Sequence, residues 1–383
     1  MSDRKNIIPE EIELSEIVLD KTNHAFEMIK QEGTGYMKKQ NIGNKGSYKK
    51  MAAAIAGICL FTVSSISVAA AIHHYWGRGM SGNIQASETE QQELTESGVA
   101  TVYRGNPDYD SLAVTDQGIT IAPDTVIVDE RFVYMSFHIS GYSVTDGEEP
   151  GFEFVNVYQG DDPEAYRSWV NMSGRMYDGV VSDENGAPVY EDGSPLMLDE
   201  NGKVISYYTD ENGDMEFILQ AYVTDENDTL LGKTMHVEFE NLGTLAKADF
   251  FPVVDGKWDF EMTLSDVSSS EDIAVGQKVE GTDFVLESIS ISPISIQANY
   301  SFSGTPERNE DGDLGVPAIK GIVLKDGTRI PYLTDGGVVV LDAANSTAYH
   351  MAGYDRVVDV DDIAALLVLT APGSEAVEIS ITK

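Results

Sequence analysis

From about Ala100 the apolar and polar positions alternate. Val133, Met135, Phe137 and Ile139 are separated by Tyr134, Ser136 and His138; Met215, Phe217, Leu219, Ala221 and Val223 alternate with Glu216, Gln220 and Thr224. Val237 and Phe239 alternate with His236, Glu238 and Glu240, and Trp258, Phe260, Met262 and Leu264 with Asp259, Glu261 and Thr263. Side chains on a strand alternate between its two faces, so this period predicts antiparallel sheets with one buried and one wet face. Ser265–Asp272 breaks the series and marks a boundary. Beyond it Ile289 and Ile291, then Ile294, Ile296, Ala298, Tyr300 and Phe302, repeat the pattern about Pro293. Ala318–Lys325, Val338–Leu341, Ala364–Thr370 and Ala376–Thr382 are further candidate strands, with turn signals at Lys325–Thr328 and Asp335–Gly337. The fold class is mainly β: two β-sandwich domains, 100–264 and 265–383, of immunoglobulin-like type.

The chain before Ala100 has a different period. Met51–Ile72 runs without a charge, a proline or an amide side chain. As a helix it would be roughly 33 Å long, enough to cross a hydrocarbon core of about 30 Å. Lys38, Lys39, Lys45, Lys49 and Lys50 precede it, while Arg78 alone lies close behind it, which predicts one transmembrane helix with the N-terminus in the cytoplasm and the C-terminal part outside. His73, His74, Tyr75 and Trp76 suit an interfacial belt. Residues 73–99, with Glu88, Glu90, Glu93 and Glu96, read as an acidic stalk. Residues 1–50 form a cytoplasmic arm in which Leu14, Ile17, Val18, Ala25, Met28 and Ile29 recur at helical steps. A lone short helix needs a partner for its stability, so the face made by Leu14, Ile17, Val18, Met28 and Ile29 is the candidate partner-binding site.

Charge narrows the partners. Of 25 basic and 64 acidic residues, ten and eight respectively precede residue 79, so the remainder carries about −41. Such a surface repels nucleic acid and anionic headgroups. Acids around the arm's stripe (Glu10, Glu11, Glu13, Glu16, Asp20) favour a protein over lipid. The single cysteine, Cys59, excludes an intramolecular disulfide and a Cys-based zinc site.

Little catalytic chemistry is legible. Asp-Glu-Asn-Gly occurs at 183–186, 199–202 and 210–213, with a near copy at 225–228; none is followed by the spacing of a calcium loop, and Asn-Gly is a hairpin signal. Asn309, Asp311 and Asp313 come closest to a calcium loop, but Leu314 and Lys320 occupy its glycine and glutamate positions. His138 and His236 fall on predicted wet faces, and no histidine pairs with a cysteine or sits in a His-Glu-x-x-His. No nucleophile elbow, P-loop or dinucleotide fingerprint is present in a fitting context. No catalytic, cofactor-binding or metal-binding residue is assigned. Tyr166, Trp169, Met172 and Met176 lie in an apparent interruption of the strand pattern, 141–204, where either a binding surface or a capping helix is expected.

Three features carry a family resemblance: the lysine-rich Gly43–Lys50 directly before the span, the run Gly118–Phe137, and the pair Asp283–Phe302 and Ile322–Gly327. Together they resemble membrane-anchored, anti-sigma-factor-like proteins of Gram-positive bacteria that carry an extracytoplasmic domain of unknown function. The resemblance implies a cytoplasmic arm that sequesters an extracytoplasmic-function sigma factor and an outer sensor that controls release. It departs from the common anti-sigma fold in having no His-x-x-x-Cys-x-x-Cys motif, so sigma binding would fall to the Leu14–Ile29 helix. The alternative is a cell-surface or wall-binding module held by its transmembrane helix.

Overall fold

Ten residues of unusually apolar sequence, Ile119-Thr-Ile-Ala-Pro-Asp-Thr-Val-Ile-Val128, form strand β3, and Phe132–Ser140 form β4 beside it. In the computed structural model, which describes residues 76–383 except 107–108, 146, 160–169, 184–185, 226–227, 247–248, 305–314, 372–373 and 382–383, these strands anchor a six-stranded sheet. Its order is β1 (Ala100–Val102), β3, β4, β9 (Met215–Val223) and β6 (Val170–Met176), with β2 (Val114–Asp116) on the near end of β3. A three-stranded sheet, β11 (Asp249–Thr263), β10 (Thr234–Ala246) and β5 (Glu149–Gln159), packs against it. All pairings are antiparallel. Between the sheets lies an aromatic core in which Phe137, Phe152, Phe217, Phe239, Phe260 and Trp258 meet mostly edge to face or tilted. Each such side chain contributes about 1.5–3 kcal/mol through burial. Trp258 also satisfies its indole N–H on the Ile119 carbonyl at 3.1 Å.

The second sandwich pairs β12 (Glu271–Lys278), β13 (Phe284–Ile291), β14 (Ser295–Phe302), β18 (Thr347–Tyr354) and β17 (Thr334–Asp342) in one sheet. The other sheet holds β16 (Arg329–Ile330), β15 (Ala318–Leu324), β19 (Ile363–Leu369) and β20 (Val377–Ser380). The described part is thus mainly β, with every strand pairing antiparallel, as the alternation predicts; one isolated parallel bridge joins Gln85 to Arg356. Asp335–Gly337 departs from that reading: it is not a turn but a register shift inside β17. His350 points into this second core, where its Nδ1 accepts the Ile319 amide at 3.2 Å.

The two sandwiches share a third apolar cluster, and here the one-wet-face expectation fails. Tyr134 and Ser136 on the supposedly wet side of β4 are 1% and 0% exposed. That face is covered by Ile294 and Met351 of the second sandwich and by the segment leading into the first. A strand buried on both sides needs the near-continuous apolar run that β3 carries.

Nor is 73–99 a stalk from Trp76 onward. Arg78–Asn83 form helix α1 and Glu88–Ser97 helix α2, and Trp76, Met80, Ile84, Leu94 and Val99 are buried in the shared cluster. Ser87 and Glu90 form a reciprocal capping box at the start of α2, and Gly98 ends it in the left-handed region at φ 85°. The apolar residues, few among acids, are spaced to bury one side of this segment. Trp76 therefore belongs to the protein core, not to an interfacial belt.

The stretch 141–204 is no interruption either: it contributes β5 and β6, then a series of tight hairpins including β7 (Val180–Ser182) with β8 (Pro188–Tyr190). The Asp-Glu-Asn-Gly copies make one turn. Asp199 N–H donates to Lys203 O at 2.8 Å, Gly202 N–H to Asp199 O at 3.0 Å, and the 183 and 210 copies repeat this. These are three-residue loops with the glycine at φ 77–84°, not the two-residue loops Asn-Gly suggests. The Asp199 carboxylate is occupied by the amides of Asn201 and Lys203, and the Lys203 amide first among these holds it below the usual carboxylate range. Among the described residues no helix is long and apolar enough to cross a membrane; the expected span 51–72 and arm 1–50 lie outside them.

Candidate functional site: an interdomain cleft beside a buried carboxylate pair

The outer face of the first sheet is not wholly covered. Tyr134 faces Gln220 in the ladder, Gln220 faces Ser173, and Ile218 faces Arg175. Together they floor a cleft of 570 Å³, within the range of small-ligand sites. One wall is the end of α1 with Asn83 and Gln85. A second is the β7–β8 hairpin, and the second sandwich closes the third with Lys320, Tyr332, Thr334 and Asp355. The floor is fixed by hydrogen bonds: Gln220 Nε2 donates to the Tyr134 hydroxyl at 2.9 Å, which donates to the Tyr354 carbonyl at 3.2 Å. Gln85 ties the walls together, its amide donating to Asp355 O, its carbonyl accepting from Val357 and its side chain donating to Ser182 O at 2.5 Å. Tyr332 rests on Gly186, where a Cβ would lie 2.9 Å from the ring.

The cleft's charges stand out in an acidic molecule. Lys320 Nζ lies 5.6 Å from the Tyr332 ring centroid and within salt-bridge range of no carboxylate among the described residues. Arg175, half exposed, reaches Asp178 only at 3.8 Å and the Asn83 amide oxygen at 3.4 Å. Asp355, the one carboxylate lining the cleft among the described residues, is taken up by Arg356 at 2.8 Å.

Next to the cleft, under α1, a buried acid pair holds the entering chain. Asp124 falls at a register shift in β3, between Pro123 and Thr125, which turns its side chain off the ladder. It is fully buried, with Arg104 Nε at 3.2 Å. Glu216 on β9 accepts the amides of Arg78 at 2.9 Å and Gly79 at 2.5 Å, placing a carboxylate at the start of α1 where the free N–H groups gather. A Cβ on Gly77, at φ 76°, would sit 2.5 Å from Asp124 Oδ2 and 2.8 Å from Glu216 Oε2, so both acids close on one glycine. Burial raises Asp124 to about 8, Arg104 opposing and Glu216 adding; burial raises Glu216 too, against its bonds to α1. His138 is not solvated as expected: its Nε2 lies 3.3 Å from Asp214 and its Nδ1 2.7 Å from Arg104 Nη2, and burial lowers its proton affinity. His236 does face outward, stacked on Tyr158 at 4.8 Å.

Ser292 and Ser295 hydrogen-bond to the buried Asp129, and among the described residues no histidine is bonded to them. Among the described residues no group of three His, Cys, Asp or Glu is arranged to hold a metal ion. The partner-binding candidates Leu14, Ile17, Val18, Met28 and Ile29 lie outside the described residues, as do Tyr166, Trp169 and the 309–313 acids. Met172 is exposed on β6 and Met176 is buried in the core. The cleft residues were not singled out from sequence, because they converge from both sandwiches. Asp124 and Glu216 did carry a signal: each is an acid inside or next to an apolar run that fills a two-sided strand.

No family model matches the chain, and no curated protein does. Among solved structures, one described as the conserved domain protein from Bacillus anthracis is similar with a TM-score of 0.39 and 13% identity, over 70% of this chain and 79% of that one. That likeness is too slight to bear on fold or function.

Proposed function

We propose that the chain is a membrane-anchored regulator whose described part is a non-enzymatic, extracellular sensor of two immunoglobulin-like sandwiches. Residues 51–72 form the span. The cytoplasmic arm binds a partner through Leu14, Ile17, Val18, Met28 and Ile29, the partner being an extracytoplasmic-function sigma factor. The observation that carries this reading is the course of the chain after the span. Four residues beyond Ile72 it enters the junction of the two sandwiches at Trp76, and Asn83 and Gln85 of that same segment wall the cleft. A ligand in the cleft therefore touches the segment that leads back to the membrane. The second reading, a wall-binding module merely anchored by its span, draws on the same cleft but gives the arm no partner. The test is capture from cells with residues 1–50 beside the Leu14→Asp/Ile17→Asp form. A sigma factor retained by the native arm and lost by the double variant supports the regulator; no specific protein on either refutes it.

A further inference from the structure

We propose that the cleft binds a carbohydrate unit carrying a single acidic group, the acid between Lys320 and Arg175 and the ring against Tyr332. This rests on the sensor reading only in using the same cleft. The remainder of the chain beyond residue 78 carries about −41, and of the lysines with no described carboxylate in ion-pair range (Lys203, Lys278, Lys320 and Lys325) Lys320 faces this cleft. Several cations of the described part sit on acids at 3.2 Å or less: Arg78 on Glu191, Arg104 on Asp124, Arg329 on Glu378, Arg356 on Asp355. Lys320 instead stands over an aromatic ring, and Arg175 holds its acid only at long range. Both face one cleft, and the single carboxylate there among the described residues, Asp355, is already bound to Arg356. Among the described residues, an anion entering the cleft meets two cations and no acid without a partner.

The rest of the lining selects what else that ligand carries. Asn83, Gln85, Gln220, Ser173 and Thr334 line the cleft with amides and hydroxyls, groups that both donate and accept. Such groups match a ring of hydroxyls and would be poorly used by an apolar acid. Tyr332 is 50% exposed although it is held in place by Gly186, so it presents a fixed ring face. A sugar's C–H face packs on such a ring while its hydroxyls turn to the amides. At 570 Å³ the space suits one or two sugar units.

The experiment is calorimetric titration of the full-length protein in detergent with glucuronic acid, glucose, glucose 6-phosphate and inorganic phosphate. The expected result is binding of glucuronic acid, glucose at least tenfold weaker, a further weakening when salt is raised from 50 to 300 mM, and about tenfold loss in Lys320→Ala with recovery in Lys320→Arg. Stronger binding of glucose 6-phosphate than of glucuronic acid keeps the acidic-sugar class and identifies a phosphate as its anion. Equal binding of glucose and glucuronic acid overturns the proposal, as does binding of inorganic phosphate alone, or indifference to Lys320→Ala in a protein whose circular dichroism is unchanged. Tyr332→Ala separates ring from charge: it should weaken both sugars and leave inorganic phosphate unaffected. None of these readouts involves residues 1–50. A failed sigma capture with intact sugar binding removes the regulator reading alone, and the reverse removes only this one.

Discussion

Replacing Asp129 with alanine should separate the two sandwiches. The carboxylate is fully buried between β3 and β4 and works in two directions. Oδ1 accepts the amides of Arg131 at 2.8 Å and Phe132 at 2.7 Å within the first sandwich; Oδ2 accepts the hydroxyls of Ser292 and Ser295, each at 2.5 Å, from the β13–β14 turn of the second. Burial raises this acid's proton affinity while all four bonds pull it down. Alanine leaves the buried Phe132 amide, the half-buried Arg131 amide and at least one hydroxyl without an acceptor, since the serines lie 3.4 Å apart and can satisfy each other only in part. At about 1–3 kcal/mol for each unpaired group the three sum to roughly 3–9 kcal/mol, and the half-burial of one amide with relief of the acid's own desolvation places the loss toward the lower value. Against a total of about 5–15 kcal/mol that is a large share. Asp129→Asn keeps the shape and one acceptor, and the serine hydroxyls can rotate to meet its amide, so it should lose about 1–2 kcal/mol. Urea unfolding followed by tryptophan fluorescence gives the energies, and calorimetry should show one transition in the parent splitting into two in Asp129→Ala. An alanine variant within 1 kcal/mol of the parent, with a single transition, would refute the idea that this acid joins the sandwiches.

Gly77→Ala should loosen the entering segment, because alanine at φ 76° costs about 1–2 kcal/mol in backbone strain and its Cβ meets both buried acids. Limited proteolysis should then cut within 76–98 at protease levels that leave the parent whole. Tyr349→Phe removes the hydroxyl that donates to the Thr224 carbonyl across the sandwich junction and should cost about 1 kcal/mol, read as a shift in urea midpoint with unchanged slope.

Much of the fold is visible in the alternation. Trp258, Phe260 and Met262 are buried while Asp259 and Glu261 are exposed, as a strand with one wet face requires. The same rule misreads β4, where Tyr134 and Ser136 look solvent-facing and are not; nothing local says that a second sandwich and a short helix will cover them. The run Ile119–Val128 held the hint, since a strand with a wet face has no need for so many apolar residues. The acidic composition of 73–99 hid a folded segment whose Ser87–Glu90 capping box and Gly98 were readable punctuation. Composition averages over a segment, whereas burial is decided by a few positions such as Trp76, Met80 and Ile84. The cleft was illegible for a different reason: Arg175 and Lys320 are 145 positions apart, and only the docking of the sandwiches brings them to one space.

Two buried groups should give the protein an uncommon dependence of stability on pH. Asp124, raised by burial to about 8, keeps its proton when folded and loses it when unfolded near 3.9; its contribution is complete below about 4 and is lost as pH rises through about 8. His350, lowered to about 4 by burial and by the nearby Lys320, works the other way: its contribution is complete above about 6.5 and is lost as pH falls toward 4. Each group changes stability by at most about 1.4 kcal/mol per pH unit within its window. Between about 4 and 6.5 the two slopes oppose and largely cancel. Between 6.5 and 8 Asp124 acts without that opposition, with Glu216 shifted in the same direction, so stability should fall by roughly 2 kcal/mol toward the alkaline side. Urea midpoints at pH 5, 6.5 and 8 check this. Asp124→Asn cannot ionise, so it should flatten the alkaline fall and be relatively more stable at pH 8 than at pH 5. His350→Asn, whose carbonyl can still accept the Ile319 amide, should uncover the Asp124 slope below 6.5. A parent whose stability is level or rising from 6.5 to 8, or an Asp124→Asn variant with the same pH profile as the parent, would show that Arg104 holds Asp124 ionised in the fold. The entering segment would then be held by a permanent charge pair, with no proton required.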